Sequence, residues 1–329
     1  MRTPGFWTKR KPTLLARALQ PIGLLYGRAT ARRMRRTGER APAPTICVGN
    51  FVAGGAGKTP AAIALARMLI ANGRRVAFLS RGYGGAERVE PLLVDANAHT
   101  AAMIGDEPLL LARIAPCWVG ADRVRSARSA VEAGANALML DDGLQNLALV
   151  KDLAFAVVDG ETGFGNGLCV PAGPLRAPVA VQLPFVRALI VIGGEDAALS
   201  EIAASAPGKP LIRASLEPDA LAAAPLIGRE VVAFAGIARP EKFYATLRRV
   251  GAQIVATRNF ADHHPYTPRE IEALIEEAGR RGAILATTEK DRVRLGARHA
   301  RAVVALPVSL RFEEPRVVQR MLRELGAGR

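Results

Sequence analysis

The sequence has few cysteines, few aromatic residues and no long apolar run. Its three cysteines, Cys47, Cys117 and Cys169, stand alone without C-x-x-C spacing, which argues against a disulfide framework or a zinc cluster and fits a reducing compartment. No apolar stretch reaches the ~18 to 20 residues that a bilayer crossing needs, and no cleavable signal peptide is evident. Half of the 329 residues are nevertheless hydrophobic. The chain is therefore globular and long enough for two modest α/β units.

Acids are almost missing from the first 40 positions, which hold eleven Lys or Arg against one acid, Glu39. The same segment carries an apolar stripe at helical spacing, formed by Leu14, Leu15, Ala18, Leu19, Ile22, Leu25 and Tyr26. A stripe flanked by cations is typical of a helix that lies on an anionic membrane surface. The alternative is an amphipathic helix that packs on its own domain. Because the segment shows no recognised nucleic-acid motif, we expect no nucleic-acid partner.

Residues 52–59 read Val-Ala-Gly-Gly-Ala-Gly-Lys-Thr, between an apolar run at 45–49 and a helix-forming stretch. Such a glycine-rich turn lets backbone N–H groups surround a polyphosphate at a helix N-terminus, so the pattern predicts an ATP site. Lys58 can reach the β- and γ-phosphates, and Thr59 can hold Mg²⁺. The strict motif has Gly where this chain has Val52. The predicted nucleotide-binding residues are Gly54, Gly55, Ala56, Gly57, Lys58, Thr59 and Pro60.

A second polar signal follows the apolar run 137–140, where Asp141 and Asp142 come directly after a predicted buried strand. The carboxyl ends of parallel strands form the crevice in which α/β proteins bind ligands. We therefore predict that Thr59 with Asp141 or Asp142 holds Mg²⁺. The alternative is a strand closed by a polar turn.

Alternating apolar and amphipathic segments predict a mostly parallel sheet with helices on both faces. The expected strands lie near 45–49, 75–80, 89–94, 117–119, 136–140, 153–158 and 187–192, and the helices near 59–71, 106–114 and 122–133. A smaller α/β set follows over 230–287, between two extended segments at 211–218 and 306–313. We expect a membrane-associating segment at 1–40, a P-loop domain at 41–216 to which 308–329 returns, and a smaller lobe at 217–307.

Several separated motifs make the chain resemble the tetraacyldisaccharide 4′-kinase (lipid A 4′-kinase) family, in order over nearly its whole length. Besides the glycine-rich loop they are Ser80-Arg81-Gly82-Tyr83-Gly84, Gly105-Asp106-Glu107-Pro108, Asp141-Asp142-Gly143-Leu144-Gln145, Pro171-Ala172-Gly173-Pro174-Leu175-Arg176, Asp262-His263-His264 and Thr287-Thr288-Glu289-Lys290-Asp291.

The resemblance implies a P-loop kinase-like α/β/α sandwich with a second, smaller lobe joined by a two-stranded linker. It implies ATP- and Mg²⁺-dependent phosphorylation of the 4′-hydroxyl of tetraacyldisaccharide 1-phosphate, a lipid A precursor, to give lipid IVA. The expected location is the cytoplasmic face of the Gram-negative inner membrane, with the N-terminal helix on its anionic surface.

The resemblance also implies the catalytic groups. Lys58 neutralises phosphate charge, Asp106 takes the sugar hydroxyl proton, and His263 from the second lobe either tunes Asp106 or relays its proton. From the residues alone, Asp106 followed by Glu107 and Pro108 reads equally as a helix N-cap, and His263 as an ordinary loop histidine.

Four further residues are predicted to contact the anionic disaccharide head group: Arg81, Tyr83, Arg123 and Arg176, because a 1-phosphate requires cations near it. The motif at 287–291 follows a predicted strand, and we expect it either to contact adenine or ribose or to start a capped helix.

Two other function classes stay open on sequence grounds. A deviant-Walker ATPase switch would use a signature lysine where this chain has Ala53, and would not need Asp106 or His263. A binding module for membrane or nucleic acid would carry the P-loop as a structural turn only.

Overall fold

A twisted, mostly parallel sheet forms the larger part of the computed structural model, which describes residues 4–55, 57–86 and 90–325. Its strands are β1 (Thr45–Gly49), β2 (Val76–Ser80), β3 (Leu92–Leu93), β4 (Cys117–Val119), β5 (Ala137–Asp141), β6 (Leu153–Asp159), β7 (Ala188–Ile192), β8 (Leu211–Pro218) and, near the C-terminus, β13 (Val308–Phe312). Among the described residues their order is β13-β8-β7-β6-β1-β5-β2-β4-β3. Only the two edge pairs, β13 with β8 and β3 with β4, are antiparallel.

The central strands are buried on both faces because their sequences are continuously apolar. Alternate residues point to opposite layers: Ile46 and Val48 join one core cluster, whereas Cys47 joins the other. The helices before β9 are α1 (Leu14–Arg33), α2 (Lys58–Ala71), α3 (Ala101–Ile104), α4 (Asp106–Ala112), α5 (Arg123–Glu132), α6 (Val179–Gln182), α7 (Asp196–Ser205) and α8 (Ala220–Ala223). The predicted α/β class is confirmed.

A smaller parallel sheet follows, with the order β10-β9-β11-β12 among the described residues. It contains β9 (Glu230–Ala235), β10 (Gln253–Asn259), β11 (Ile284–Thr288) and β12 (Val304–Leu306). Its helices are α9 (Pro240–Arg249), α10 (Pro268–Arg280), α11 (Glu289–Arg292) and α12 (Ala297–Arg301), and α13 (Pro315–Arg323) closes the described chain. The chain leaves the large sheet through β8 and returns through its antiparallel partner β13, so two strands connect the two sheets.

The predicted strand at 89–94 is wrong in extent. The structure has a two-residue strand, Leu92–Leu93, antiparallel to β4, and residues 87–89 lie outside the described part of the chain. An edge position explains the shortness, because β3 has a partner on one side only and its side chains are at best half-buried.

The helix α1 attaches to the large domain by small residues rather than by its bulky stripe. Ala16, Gly23 and Gly27 are buried, and a Cβ atom on Gly23 would lie 2.6 Å from the carbonyl oxygen of Cys169. Glycine therefore allows the helix backbone to approach closely. The opposite side exposes apolar side chains, with Leu14 84% and Leu25 66% exposed. The alternative in which the stripe packs on its own domain is wrong for these residues.

Candidate active site

The glycine-rich loop joins β1 to α2. Gly57 adopts φ +85° immediately before α2, and a Cβ there would lie 2.6 Å from Ile192 Cδ1, so glycine is required on both grounds. Lys58 is 9% exposed, and its Nζ donates to the Gly54 carbonyl oxygen at 3.3 Å. The Asn50 amide donates to the same oxygen at 2.9 Å. The lysine is thus folded over its own loop; the predicted contact residue Ala56 lies outside the described residues.

Asp141 ends β5 beside β1, because the parallel register pairs it with Val48. Thr59 Oγ1 donates to Asp141 Oδ2 at 3.1 Å, which brings together two of the predicted metal ligands. Burial, together with the charge of Glu107, raises the pKa of Asp141 to about 7. Its Oδ1 atom is buried and accepts no hydrogen bond from the described residues. A buried carboxylate oxygen without a donor fits a hard cation such as Mg²⁺.

Asp142 follows in a left-handed conformation with φ 52°. Its Oδ2 atom lies 3.5 Å from Lys58 Nζ and accepts a hydrogen bond from Arg176 Nη2 at 2.9 Å. Burial opposes ionisation of Asp142, but the charges of Lys58 and Arg176 outweigh it, so its pKa is lowered. Arg176 also donates to Gln145 Oε1 at 3.1 Å. The structure therefore places Arg176, predicted as a head-group contact, against the P-loop carboxylate.

Asp106 and His263 meet across the two sheets. His263 Nδ1 lies 2.9 Å from Asp106 Oδ2, although 157 positions separate them in the chain. Asp106 is the first residue of α4 and is 3% exposed, while Gly105 occupies the N-cap position. The alternative that Asp106 itself is the N-cap is therefore wrong. His263 has φ 59° and its backbone N–H donates to the Gly236 carbonyl oxygen, so its loop is fixed rather than ordinary.

Two cations that the sequence did not predict at the site complete this cluster. Arg294 is 5% exposed in its side chain, and its Nε donates to Asp106 Oδ2 at 2.8 Å. Lys290 Nζ donates to Glu107 Oε1 at 3.3 Å and lies 3.3 Å from His263 Nε2. The available signal was their i, i+4 spacing after a strand end, which places both on one side of a helical turn.

These cations control the ionisation of Asp106. Burial alone would raise its pKa, but the hydrogen bond to His263 and the charges of Lys290 and Arg294 hold the pKa well below its usual range. Asp106 is therefore an ionised, acceptor-only carboxylate at neutral pH.

The predicted head-group contacts occupy different environments. Tyr83 is 71% exposed, and its ring meets that of His263 edge-on at 5.4 Å. Arg123 is buried and donates to the Gly120 carbonyl oxygen at 3.0 Å, while its Nε has no partner among the described residues. Burial, together with the charge of Arg81, lowers the pKa of Arg123 to about 10. Arg81 itself is exposed.

A cleft of about 860 Å³ lies between the two sheets. Lys58 and Thr59 line it from the large domain, and Asp262 and Lys290 line it from the small one. The glycine-rich loop and the residues beside His263 therefore open into one cavity. A cleft at the carboxyl ends of parallel strands is the usual ligand site of α/β proteins.

The sequence profile of the family described as tetraacyldisaccharide-1-phosphate 4′-kinase matches residues 15–326. The chain belongs to this family. It is 54% identical over 332 residues to the tetraacyldisaccharide 4′-kinase of Methylobacterium sp. strain 4-46, covering 100% of this chain and 99% of that relative. It is 50% identical over 327 residues to that of Paramagnetospirillum magneticum strain AMB-1, with 99% of both chains covered.

A family member of known structure shares the fold. LpxK from Aquifex aeolicus, crystallised in complex with ATP, superposes with a TM-score of 0.74 at 26% identity, covering 95% of this chain and 100% of that one. The recognised family resemblance is therefore confirmed, and with it the assignment of the chain to a family of kinases.

Proposed function

We propose that this chain transfers the γ-phosphoryl group of ATP to the 4′-hydroxyl of tetraacyldisaccharide 1-phosphate, giving lipid IVA in lipid A biosynthesis. The observation that carries the proposal is the Asp106–His263 contact at 2.9 Å, held beside a cleft that the glycine-rich loop also lines. A phosphate site and a carboxylate base are the two parts that phosphoryl transfer to a hydroxyl requires. Family membership supports the choice of acceptor.

The glycine-rich loop binds the ATP phosphates. Backbone N–H groups before α2 and the positive end of the helix dipole favour the anion. Lys58, now held by Gly54 and Asp142, is positioned to turn its ammonium to the β- and γ-phosphates. Thr59, Asp141 and Asp142 would hold Mg²⁺, which when bound neutralises charge on the phosphates; the unpartnered Oδ1 atoms of both aspartates support this assignment.

Asp106 accepts the proton of the acceptor. The hydroxyl oxygen of the sugar attacks the γ-phosphorus, the bond from that phosphorus to the β,γ-bridging oxygen breaks, and the hydroxyl proton passes to the Asp106 carboxylate. A carboxylate of low pKa suits this role because the transition state of phosphoryl transfer is loose and the proton leaves late. Catalysis by Asp106 then rests on orientation of the hydroxyl more than on base strength.

The disaccharide head group lies on the side of His263 where Tyr83 is exposed. Arg81 and Tyr83 follow β2, and the buried Arg123 with its unpartnered Nε lies within electrostatic range of Arg81. These two cations supply the charge that a 1-phosphate requires. Arg176 contributes from the other side by fixing Asp142.

The helix α1 holds the enzyme at the cytoplasmic surface of the inner membrane. Its exposed side presents Leu14, Leu15, Ile22 and Leu25, each more than half exposed. Buried apolar area and neighbouring cations, worth roughly 1 kcal/mol each near anionic lipid, favour a surface position. Among the described residues no helix is long and apolar enough to span a membrane.

The test is to incubate purified chain with ATP and tetraacyldisaccharide 1-phosphate in detergent micelles, and to identify the lipid product by mass and by the position of the new phosphate. We expect one added phosphate at the 4′ position. An unchanged lipid, with ATP hydrolysed at the same rate in its absence, would instead favour an ATPase switch.

A further inference from the structure

The imidazole of His263 lies between a carboxylate and an ammonium group. Its Nδ1 is 2.9 Å from Asp106 Oδ2, and its Nε2 is 3.3 Å from Lys290 Nζ. An ionised carboxylate only accepts hydrogen bonds, and an ammonium only donates them. A histidine that satisfies both neighbours must therefore donate at Nδ1 and accept at Nε2. This requirement selects one neutral tautomer, with the proton on Nδ1.

Both neighbours are held in their charged forms by the residues around them. Lys290 lies 3.3 Å from Glu107 and 3.9 Å from Asp262. Burial opposes its charge, but these carboxylates and Asp106 outweigh burial and raise the pKa of Lys290. Asp106 is kept ionised by Arg294, whose Nη2 and Nε both approach Oδ2.

Arg294 is itself fixed from behind. Its Nη1 donates to Asp291 Oδ1 at 2.9 Å and to the Gly236 carbonyl oxygen at 3.0 Å. Asp291 is fully buried and also accepts from the Tyr266 hydroxyl at 2.8 Å. The cation that faces Asp106 therefore has little freedom to move away.

One neighbour could favour the opposite tautomer. Asp262 Oδ1 lies 3.7 Å from His263 Nε2, and a carboxylate there attracts a proton to that nitrogen. The separation is beyond hydrogen-bond range, and Lys290 lies closer to the same nitrogen at 3.3 Å. The remaining group in contact with the ring, Tyr83, meets it edge-on. The nearest polar contact of Nε2 is thus the ammonium donor.

We propose that Lys290 is a positioning residue that fixes His263 as the Nδ1–H tautomer, so that His263 orients Asp106 and does not carry the acceptor's proton. This inference rests on the proposed function. It decides between tuning and relay: Nδ1 already holds a proton and Nε2 faces a positive charge, so His263 has no site at which to receive another proton. The hydroxyl proton passes to Asp106 and from there to solvent.

The direct test is ¹⁵N NMR of ¹⁵N-histidine-labelled protein without ligands. The chain has 4 histidines, and a His263→Gln variant assigns the His263 signals. We expect a protonated Nδ1 and an unprotonated Nε2 throughout the neutral pH range. In Lys290→Met, which keeps length but removes the donor, we expect proton occupancy to appear on Nε2. Lys290→Arg should retain the wild-type pattern, as should Lys209→Met, a control whose ammonium contacts the Val186 carbonyl oxygen instead.

Kinetics provide the second readout. Because correct orientation is part of the ~10²- to 10⁴-fold effect of a general base, Lys290→Met should lower kcat by about 10-fold or more, and Lys290→Arg should recover most of it. A wild-type His263 protonated on Nε2, or a Lys290→Met spectrum identical to wild type, overturns the proposal. The spectra require no turnover, so they test the tautomer even if the chain proves not to phosphorylate the lipid.

Discussion

The environment of Asp141 predicts a pH-dependent stability that one substitution should remove. Burial and the charge of Glu107 raise the pKa of Asp141 to about 7 in the metal-free protein, against about 3.9 in an unfolded chain. The folded protein therefore binds this proton more tightly than the unfolded chain does. The contribution of Asp141 to the free energy of unfolding is favourable at acidic pH, falls as pH rises from 4 towards 7, and is lost above about pH 7.

The size of the effect follows from the two pKa values. Between about pH 8 and about pH 5.5 the proton-linked gain in the free energy of unfolding is roughly 2 kcal/mol. For a chain of this length that corresponds to a rise in Tm of roughly 3 °C. Asp141→Asn has no carboxyl group to titrate, so its Tm should lack this rise relative to wild type.

The measurement is thermal unfolding of both proteins across that pH range, with a chelator and no nucleotide. The four histidines and the other carboxylates titrate in both proteins, so their effects cancel in the difference. With Mg²⁺ added, wild type should gain stability at neutral pH and the variant should not, since the metal gives the unpartnered Oδ1 of Asp141 a ligand bond. Parallel pH profiles without metal would refute the buried, proton-holding carboxylate.

The remaining predictions concern catalysis and the membrane. Lys58→Ala should lower kcat by about 100-fold or more while circular dichroism stays unchanged, because the loop lysine neutralises phosphate charge; near-normal turnover would contradict its role. Asp106→Ala and His263→Ala should each reduce kcat strongly, and the double variant should cost far less than their product, since residues acting as a unit are non-additive; multiplicative effects would mean independent roles. Leu25→Ser should weaken binding to anionic vesicles about 10-fold and raise KM for lipid but not for ATP, whereas Leu221→Ser, equally exposed on the small domain, should change neither; equal effects would contradict the membrane helix.

The P-loop could be located from the sequence because its signals are local. The apolar run before it, the glycines and the Lys-Thr pair lie within 15 residues, and the structure starts α2 at Lys58 and ends β5 at Asp141, each within one residue of expectation. Continuous apolar strands likewise predicted the parallel sheet. Such features depend on neighbours in the chain.

Contacts between distant segments were the ones that sequence could not supply. Arg294 reaches Asp106 across 188 positions, and its role depends on how the small domain packs against α4. The attachment of α1 was misleading for another reason: bulky residues dominate its pattern, but the close approach to Cys169 requires Gly23 and Gly27. Sequence periodicity identifies an apolar stripe without saying whether protein or lipid covers it.

The most direct test of the central claim is the dependence of ADP formation on the lipid acceptor. Purified protein is given ATP and Mg²⁺ in detergent micelles, with and without tetraacyldisaccharide 1-phosphate, and ADP and phosphorylated lipid are measured in the same samples. The account predicts that ADP appears only with lipid and in one-to-one proportion to 4′-phosphorylated product, because Asp106 requires a bound hydroxyl. ADP formed equally without lipid, or lipid recovered without a 4′-phosphate, would contradict it.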